Sequence, residues 1–234
     1  MSLILSFDTS TQVCSVALHQ KGILLSAAEI HTSYSHSEKL TILAQQVLEN
    51  AKKDLKDIDA IAVAKGAGSY TGLRIGVSTA KGLCFALQKP LIALETLKIM
   101  AQNVANFIFD ADVYICPMID ARRMEVYCAI FDKDLNVKKE THAEIITENS
   151  FEEILKEKKI FFFGDGATKC QHILEKNKNA FFPNFNWEYP HAKNMGNLAY
   201  QKFQKEEFED VAYFEPFYLK EFVHSTQKNI RSNI

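Results

Sequence analysis

Leu3-Ile4-Leu5-Ser6-Phe7-Asp8-Thr9-Ser10-Thr11 is an apolar run that breaks, at an aspartate, into turn-forming residues. Beyond it Val13 to His19 alternates, Lys21-Gly22 turns the chain and Ile23 to Glu29 offers another strand, so the opening predicts a three-strand meander. The pattern returns further on. Val113 to Ile119 is apolar, Asp120-Ala121-Arg122-Arg123-Met124 turns, Glu125 to Asp132 reads as a strand, and Asp132-Lys133-Asp134-Leu135-Asn136 turns again. Two strand-turn-strand units, each with an aspartate at its first turn, predict two α/β lobes built on one plan.

Between the units, His36 to Ala51 carries Leu40, Leu43, Val47 and Ala51 at helical spacing, widened by Ile42 and Leu48, with Ser35 or Ser37 as the cap. Ile58 to Ala64 is almost wholly apolar, as in a strand covered on both faces. A loop from Lys65 to Gly72 follows, then a helix from Leu73 to Leu87 ended by Gln88-Lys89-Pro90, and Leu91 to Leu94 begins the next strand. The second half offers a helix near Phe151 to Lys158, a strand Lys159 to Phe163, the loop Gly164-Asp165-Gly166 and a helix around Ala167 to Lys176. After a connection over Phe181 to His191, Asn194 to Lys205 reads as a helix with Leu198, Ala199 and Phe203 inward. This order fits duplicated lobes of the actin-like nucleotide-binding superfold (ASKHA, ribonuclease H-like), each a mixed sheet flanked by helices. The expected division is 1–105 for the first lobe and 106–226 for a smaller second one, with the helix over 194–205 able to return to the first lobe and a loose tail over 227–234.

With 234 residues, 47% of them hydrophobic and 17 of them Phe, the chain can bury a substantial core. Its 27 Lys+Arg against 29 Asp+Glu give a formal charge of −2, which argues against a general polyanion surface and hands any RNA contact to another subunit. The five cysteines are scattered, form no C-x-x-C pair and sit in or beside apolar runs, so they read as core thiols of a reduced, cytoplasmic chain. Residues 1–7 have no basic leader and run into Asp8, as a buried first strand does, and no apolar run approaches the ~18 residues of a membrane span.

Gly66, Gly68, Ser69, Thr71 and Gly72 place backbone freedom and hydroxyls between a buried strand and a helix, a loop type that can receive an anion. It lacks the Lys-Ser/Thr ending of a P-loop, and a tight turn alone also explains the glycines. Asp8 and Asp120 end apolar strands where an actin-like kinase would hold Mg-nucleotide, with local turn capping as the alternative. Asp8, Thr9, Gly66, Gly68 and Asp120 are thus candidate remnants of a nucleotide cleft. The seven histidines offer no helical pair: His31 and His36 flank a loop-like stretch, the others stand alone, and no metal site is expected. Gly72, Gly76 and Ala80 step by four along the second helix, a narrow ridge for close helix approach. With Leu73 and the Leu40, Leu43, Val47 stripe they are candidate contacts of a helix bundle between subunits, although the chain's own sheet should claim at least one face of each helix.

The string Gly66-Ala67-Gly68-Ser69-Tyr70-Thr71-Gly72-Leu73-Arg74-Ile75-Gly76 resembles the G-P-G-S-F-T-G-x-R-I-G signature of the TsaB family. Phe7-Asp8-Thr9-Ser10 with Cys14-Ser15-Val16-Ala17 is similar to the family's opening, His36-Ser37 to its helix start, and Ile119-Asp120-Ala121-Arg122 with Glu125-Val126-Tyr127 to the start of its second lobe. Gly164-Asp165-Gly166-Ala167 and Pro216-Phe217-Tyr218-Leu219 extend the likeness loosely. Ala67 stands where the family has proline and Tyr70 where it has phenylalanine.

The resemblance implies a non-catalytic subunit that binds and organises TsaD, with TsaE, in forming N6-threonylcarbamoyladenosine next to the tRNA anticodon. It implies a homodimer when alone, tRNA contact through the complex, and no required cofactor, with ATP or ADP at the TsaD interface at most. The catalytic paralogue TsaD carries a metal-binding H-x-x-x-H after the segment equivalent to Pro90-Leu91-Ile92; here Leu94 to Met100 contains no histidine, which disfavours a metallopeptidase. The rival reading is a stand-alone actin-fold kinase of a small hydroxyl or acid substrate, which would need Asp8 and Asp120 to work on Mg-ATP.

Overall fold

A computed structural model describes residues 2–32, 36–183 and 189–219. The expected cap at Ser35 and the expected tail over 227–234 lie outside them. In the first half, strands β1 (Leu3–Asp8), β2 (Cys14–Gln20) and β3 (Ile23–Ile30) form the meander; α1 (His36–Asn50), β4 (Ala60–Gly66), α2 (Tyr70–Leu87) and β5 (Leu91–Glu95) follow. The sheet order is β3-β2-β1-β4-β5, with β1 antiparallel to β2 and parallel to β4.

Helix α3 (Thr96–Ala105) leads to the second half: β6 (Val113–Asp120), β7 (Glu125–Phe131), β8 (Val137–Ile145), α4 (Glu152–Glu157), β9 (Lys159–Phe163), α5 (Asp165–Leu174) and the short β10 (Ala180–Phe181). Its sheet order is β8-β7-β6-β9-β10, which repeats the first sheet strand for strand, with the same antiparallel and parallel partners. 3-10 turns over Leu55–Asp57 and Ala192–Asn194 and α6 (Gly196–Gln204) complete the described elements.

Side-chain alternation on β1 distributes the cores. Leu3, Leu5 and Phe7 face α1 and α2, where Leu40, Leu43, Val47, Val77, Ala80 and Cys84 close the first core. Ile4 faces the other way, with Ala60, Ala62 and Ile92, onto Ile99 of α3 and onto Met195, Leu198 and Ala199 of the returning segment. The rest of α3, through Leu97, Met100, Ala101 and Val104, packs on Ile115, Ile119 and Phe131 of the second sheet. Helices α4 and α5 cover that sheet's outer face, against Cys116, Cys128, Ile160 and Phe162. Helix α3 therefore lies between the two sheets, with Lys98 and Gln102 on its remaining, partly exposed face.

The chain after α6 also belongs physically to the first sheet, so that unit is not confined to residues 1–105. Glu209 bridges to Leu91, Val211 and Phe214 pack on the first core, and the Phe217 amide donates to the Lys65 carbonyl at 2.7 Å. All five cysteines are free and buried, the role their apolar neighbours predict.

Candidate functional site

Asp8 ends β1 and is fully buried. Its Oδ1 accepts from the Ser10 amide at 2.9 Å and from the Ser10 hydroxyl at 2.6 Å, an aspartate turn of the kind that needs no ligand. Its Oδ2 is buried without a hydrogen bond among the described residues. Burial pushes the carboxyl up to about 6, and the two bonds from Ser10 pull it back only partly.

This turn is packed into the glycine loop. Thr9 Oγ1 donates to the Gly72 carbonyl at 2.7 Å, and the Ser69 amide donates to the Ser10 carbonyl at 2.6 Å. A Cβ at Gly68 would run into the Ser10 carbonyl, one at Gly72 into the Thr9 carbonyl and one at Gly76 into the Thr9 hydroxyl. Gly66, at φ +123°, holds a conformation that L side chains rarely adopt, and a Cβ there would stand 2.5 Å from the Phe217 carbonyl. The loop's missing side chains thus make room for the chain's own backbone, from the aspartate turn on one side and the C-terminal segment on the other. Helix α2 begins at Tyr70, three residues earlier than its apolar pattern suggests, because Ser69 Oγ caps it by accepting from the Gly72 amide at 3.2 Å.

The second lobe repeats the arrangement with different electrostatics. Asp120 ends β6, and its Oδ1 accepts from the Arg122 amide at 2.7 Å, again an aspartate turn. It is solvent-exposed and paired with Lys169, while its own amide donates to Asp165 Oδ1 at 2.9 Å. Burial pushes the Asp165 carboxyl up to about 6 against the hydrogen bonds from Asp120 and Gly166. Asp8, Thr9, Gly66 and Gly68 are therefore brought together with Gly72 and Gly76, whereas Asp120 occupies the equivalent station of the other lobe. A groove of about 280 Å³ between β4, β5, α3, β8 and α6 is lined by Lys65, Glu95, Lys98, Glu140, Lys202 and Lys205, and by none of the proposed cleft residues.

The proposed inter-subunit contacts need correction. Leu40, Leu43, Val47, Leu73 and Ala80 are buried in the chain's own interior, and Gly72 and Gly76 are taken up by Thr9. The sheet claims the main apolar stripe of both helices; what they leave outward is Ile42, 55% exposed, and Phe85, 83% exposed. Residues 94–100 form the end of β5 and the start of α3, where Glu95 pairs with Lys65 at 3.5 Å and Leu97, Ile99 and Met100 are buried. The reading of the histidines as scattered fails at one place: His31 and His191, distant in sequence, meet beside Glu29 with ring centroids 5.8 Å apart. Spacing along the chain holds no signal for such a meeting.

A family model described as TsaD, tRNA N6-adenosine threonylcarbamoyltransferase, matches residues 24–228. The tRNA threonylcarbamoyladenosine biosynthesis protein TsaB of Escherichia coli K12 is 31% identical over 222 residues, 93% of this chain and 94% of the relative. The chain belongs to the TsaB family. The TsaB protein of Bacillus subtilis 168 is 30% identical over 175 residues, 74% of this chain and 75% of the relative. Among solved structures, YeaZ from Pseudomonas aeruginosa superposes with a TM-score of 0.79 at 27% identity, covering 94% of this chain and 100% of that one. Component A of (R)-2-hydroxyglutaryl-CoA dehydratase from Acidaminococcus fermentans, 10% identical with a TM-score of 0.52 over 86% of this chain and 99% of its own, shares the fold. This TsaB-family chain has the two-lobed actin-like fold that its duplicated sheets describe. No helix among the described residues is long and apolar enough to cross a membrane.

Proposed function

We propose that this chain is a partner subunit, without catalysis of its own, in forming N6-threonylcarbamoyladenosine in tRNA. It binds and organises the TsaD-type threonylcarbamoyltransferase, with TsaE completing the assembly, and pairs with itself when alone. The TsaB names of its relatives support the pathway. The observation that carries the non-catalytic role is the closure of Gly68, Gly72 and Gly76 onto Thr9 and Ser10, so that these glycines make room for the chain's own Asp8–Ser10 turn.

In this reading ATP or ADP, where the assembly uses it, sits at the surface shared with TsaD, and tRNA is held through the complex, consistent with a net charge of −2. The outward Phe85 and Ile42 supply apolar anchors on α2 and α1 for a facing helix. The test is reconstitution with the TsaD, TsaE and tRNA of the same organism, with and without this chain. A stable complex with TsaD, and tRNA modification that vanishes when the chain is left out, is the expected result. Full modification in its absence would overturn the proposal, and phosphorylation of a small hydroxyl acceptor by the isolated chain would replace it with a kinase.

A further inference from the structure

Glu29 lies near the end of the edge strand β3, His31 follows it by two residues, and His191 arrives just before the 3-10 turn that packs on β2 and β3. His31 Nε2 is 3.2 Å from Glu29 Oε1, and His191 Nδ1 is 2.9 Å from Glu29 Oε2. The three ligand atoms all fall within 4.8 Å of one another. A tetrahedral zinc ion with Zn–N of about 2.0–2.1 Å sets neighbouring ligand atoms roughly 3.3 Å apart; the two imidazole nitrogens now flank opposite oxygens of the Glu29 carboxylate, and small side-chain rotations bring one atom of each residue to that spacing. We propose that Glu29, His31 and His191 form a binding site for a divalent transition-metal ion of the zinc type, which staples the end of β3 to the segment returning from the second lobe.

Two further features fit this assignment. His191 Nδ1 is buried and makes no well-aligned hydrogen bond among the described residues, although it lies 2.9 Å from the carboxylate. Two imidazoles and one carboxylate suit zinc-like ions and not magnesium or calcium, which take oxygen ligands. With three protein ligands the fourth position goes to water. Lys193 Nζ, 3.5 Å from Glu29 Oε1, is a competing cation and turns out to solvent when the ion binds.

The test uses the untagged full chain, loaded with zinc sulfate, freed of excess by gel filtration and assayed for metal by atomic emission. The wild type should retain about one zinc per chain, and its melting temperature should rise by a few degrees on loading. The double variant His31→Ala/His191→Ala should retain none and show no rise, with an unchanged far-ultraviolet circular dichroism spectrum. His31→Asn alters a largely exposed side chain and leaves the interior intact. It should weaken zinc binding by more than the ~10–100-fold that an outer-shell partner costs. Cobalt in place of zinc should give visible absorption bands in the wild type that both variants lack. Equal zinc retention by wild type and double variant, whether zero or held by the buried cysteines, would overturn the site.

Discussion

The Thr9 hydroxyl donates to the Gly72 carbonyl at 2.7 Å, and the Thr9 carbonyl occupies the space where a side chain at position 72 would begin. Gly72→Ala must therefore displace backbone, and should lose about 2–4 kcal/mol of stability even though alanine is the better helix former. Gly82, in the same helix with nothing near its missing Cβ, is the control: Gly82→Ala should gain about 0.5–1 kcal/mol. Urea unfolding of the two variants beside the wild type measures both.

Asp8 predicts a pH dependence of definite sign. Burial raises its folded carboxyl to about 6, above the usual 3.8 of a free aspartate, so the folded state holds this proton more tightly than the unfolded chain. Its contribution is thus complete below about pH 4 and is lost as pH rises through about 6, a swing on the order of 3 kcal/mol. Asp8→Asn keeps the oxygen that accepts from Ser10 and removes the buried charge. It should match the wild type near pH 4 and exceed it by about 1–3 kcal/mol near pH 8, read from urea midpoints. A residual slope of the same sign belongs to Asp165, also raised to about 6.

Lys81 fastens the C-terminal segment, donating to the Phe214 carbonyl at 2.8 Å and the Ala212 carbonyl at 3.2 Å. Lys81→Met keeps the aliphatic stem and removes both bonds. It should cost about 1–2 kcal/mol and speed amide exchange over residues 212–217 ahead of the sheet cores, in hydrogen–deuterium exchange by mass spectrometry.

Phe85 and Ile42 separate stability from assembly. Phe85→Ser and Ile42→Ser replace exposed side chains and should shift the unfolding midpoint by no more than about 0.5 kcal/mol. Under the proposed partner role, Phe85→Ser should weaken the complex with TsaD at least about tenfold, by titration calorimetry. Val47→Ala, buried in the first core, should instead lose roughly 1–3 kcal/mol of stability.

The sequence made the repeated meander legible because strands such as Leu3–Asp8 and Glu125–Phe131 are bounded by strong turn residues. Two elements were hidden for different reasons. Val137–Ile145 is a half-exposed strand crowded with Lys, Glu and Thr, so its alternation is masked by charge. Thr96–Ala105 follows β5 without a loop and has no side-chain cap, so nothing local marks its start, although Leu97, Met100, Ala101 and Val104 keep helical spacing. The Gly66–Gly76 string pointed to the family but not to its physical purpose, because the partners of its glycines, Thr9, Ser10 and Phe217, lie far off in the chain. Only Ser69, three residues before Gly72, carried a local signal for where α2 starts.

The C-terminal segment has a consequence for how the molecule is made. Met195, Leu198 and Ala199 cover one face of the first sheet, Val211 and Phe214 seal the other, and Phe217 reaches the end of β4. The first lobe is thus completed by residues that are synthesised only after the second lobe. A nascent chain holding only β1 to β5 presents an open sheet with both faces partly bare, and the second lobe, whose core draws on residues 97 to 182, is free to close before the first one does.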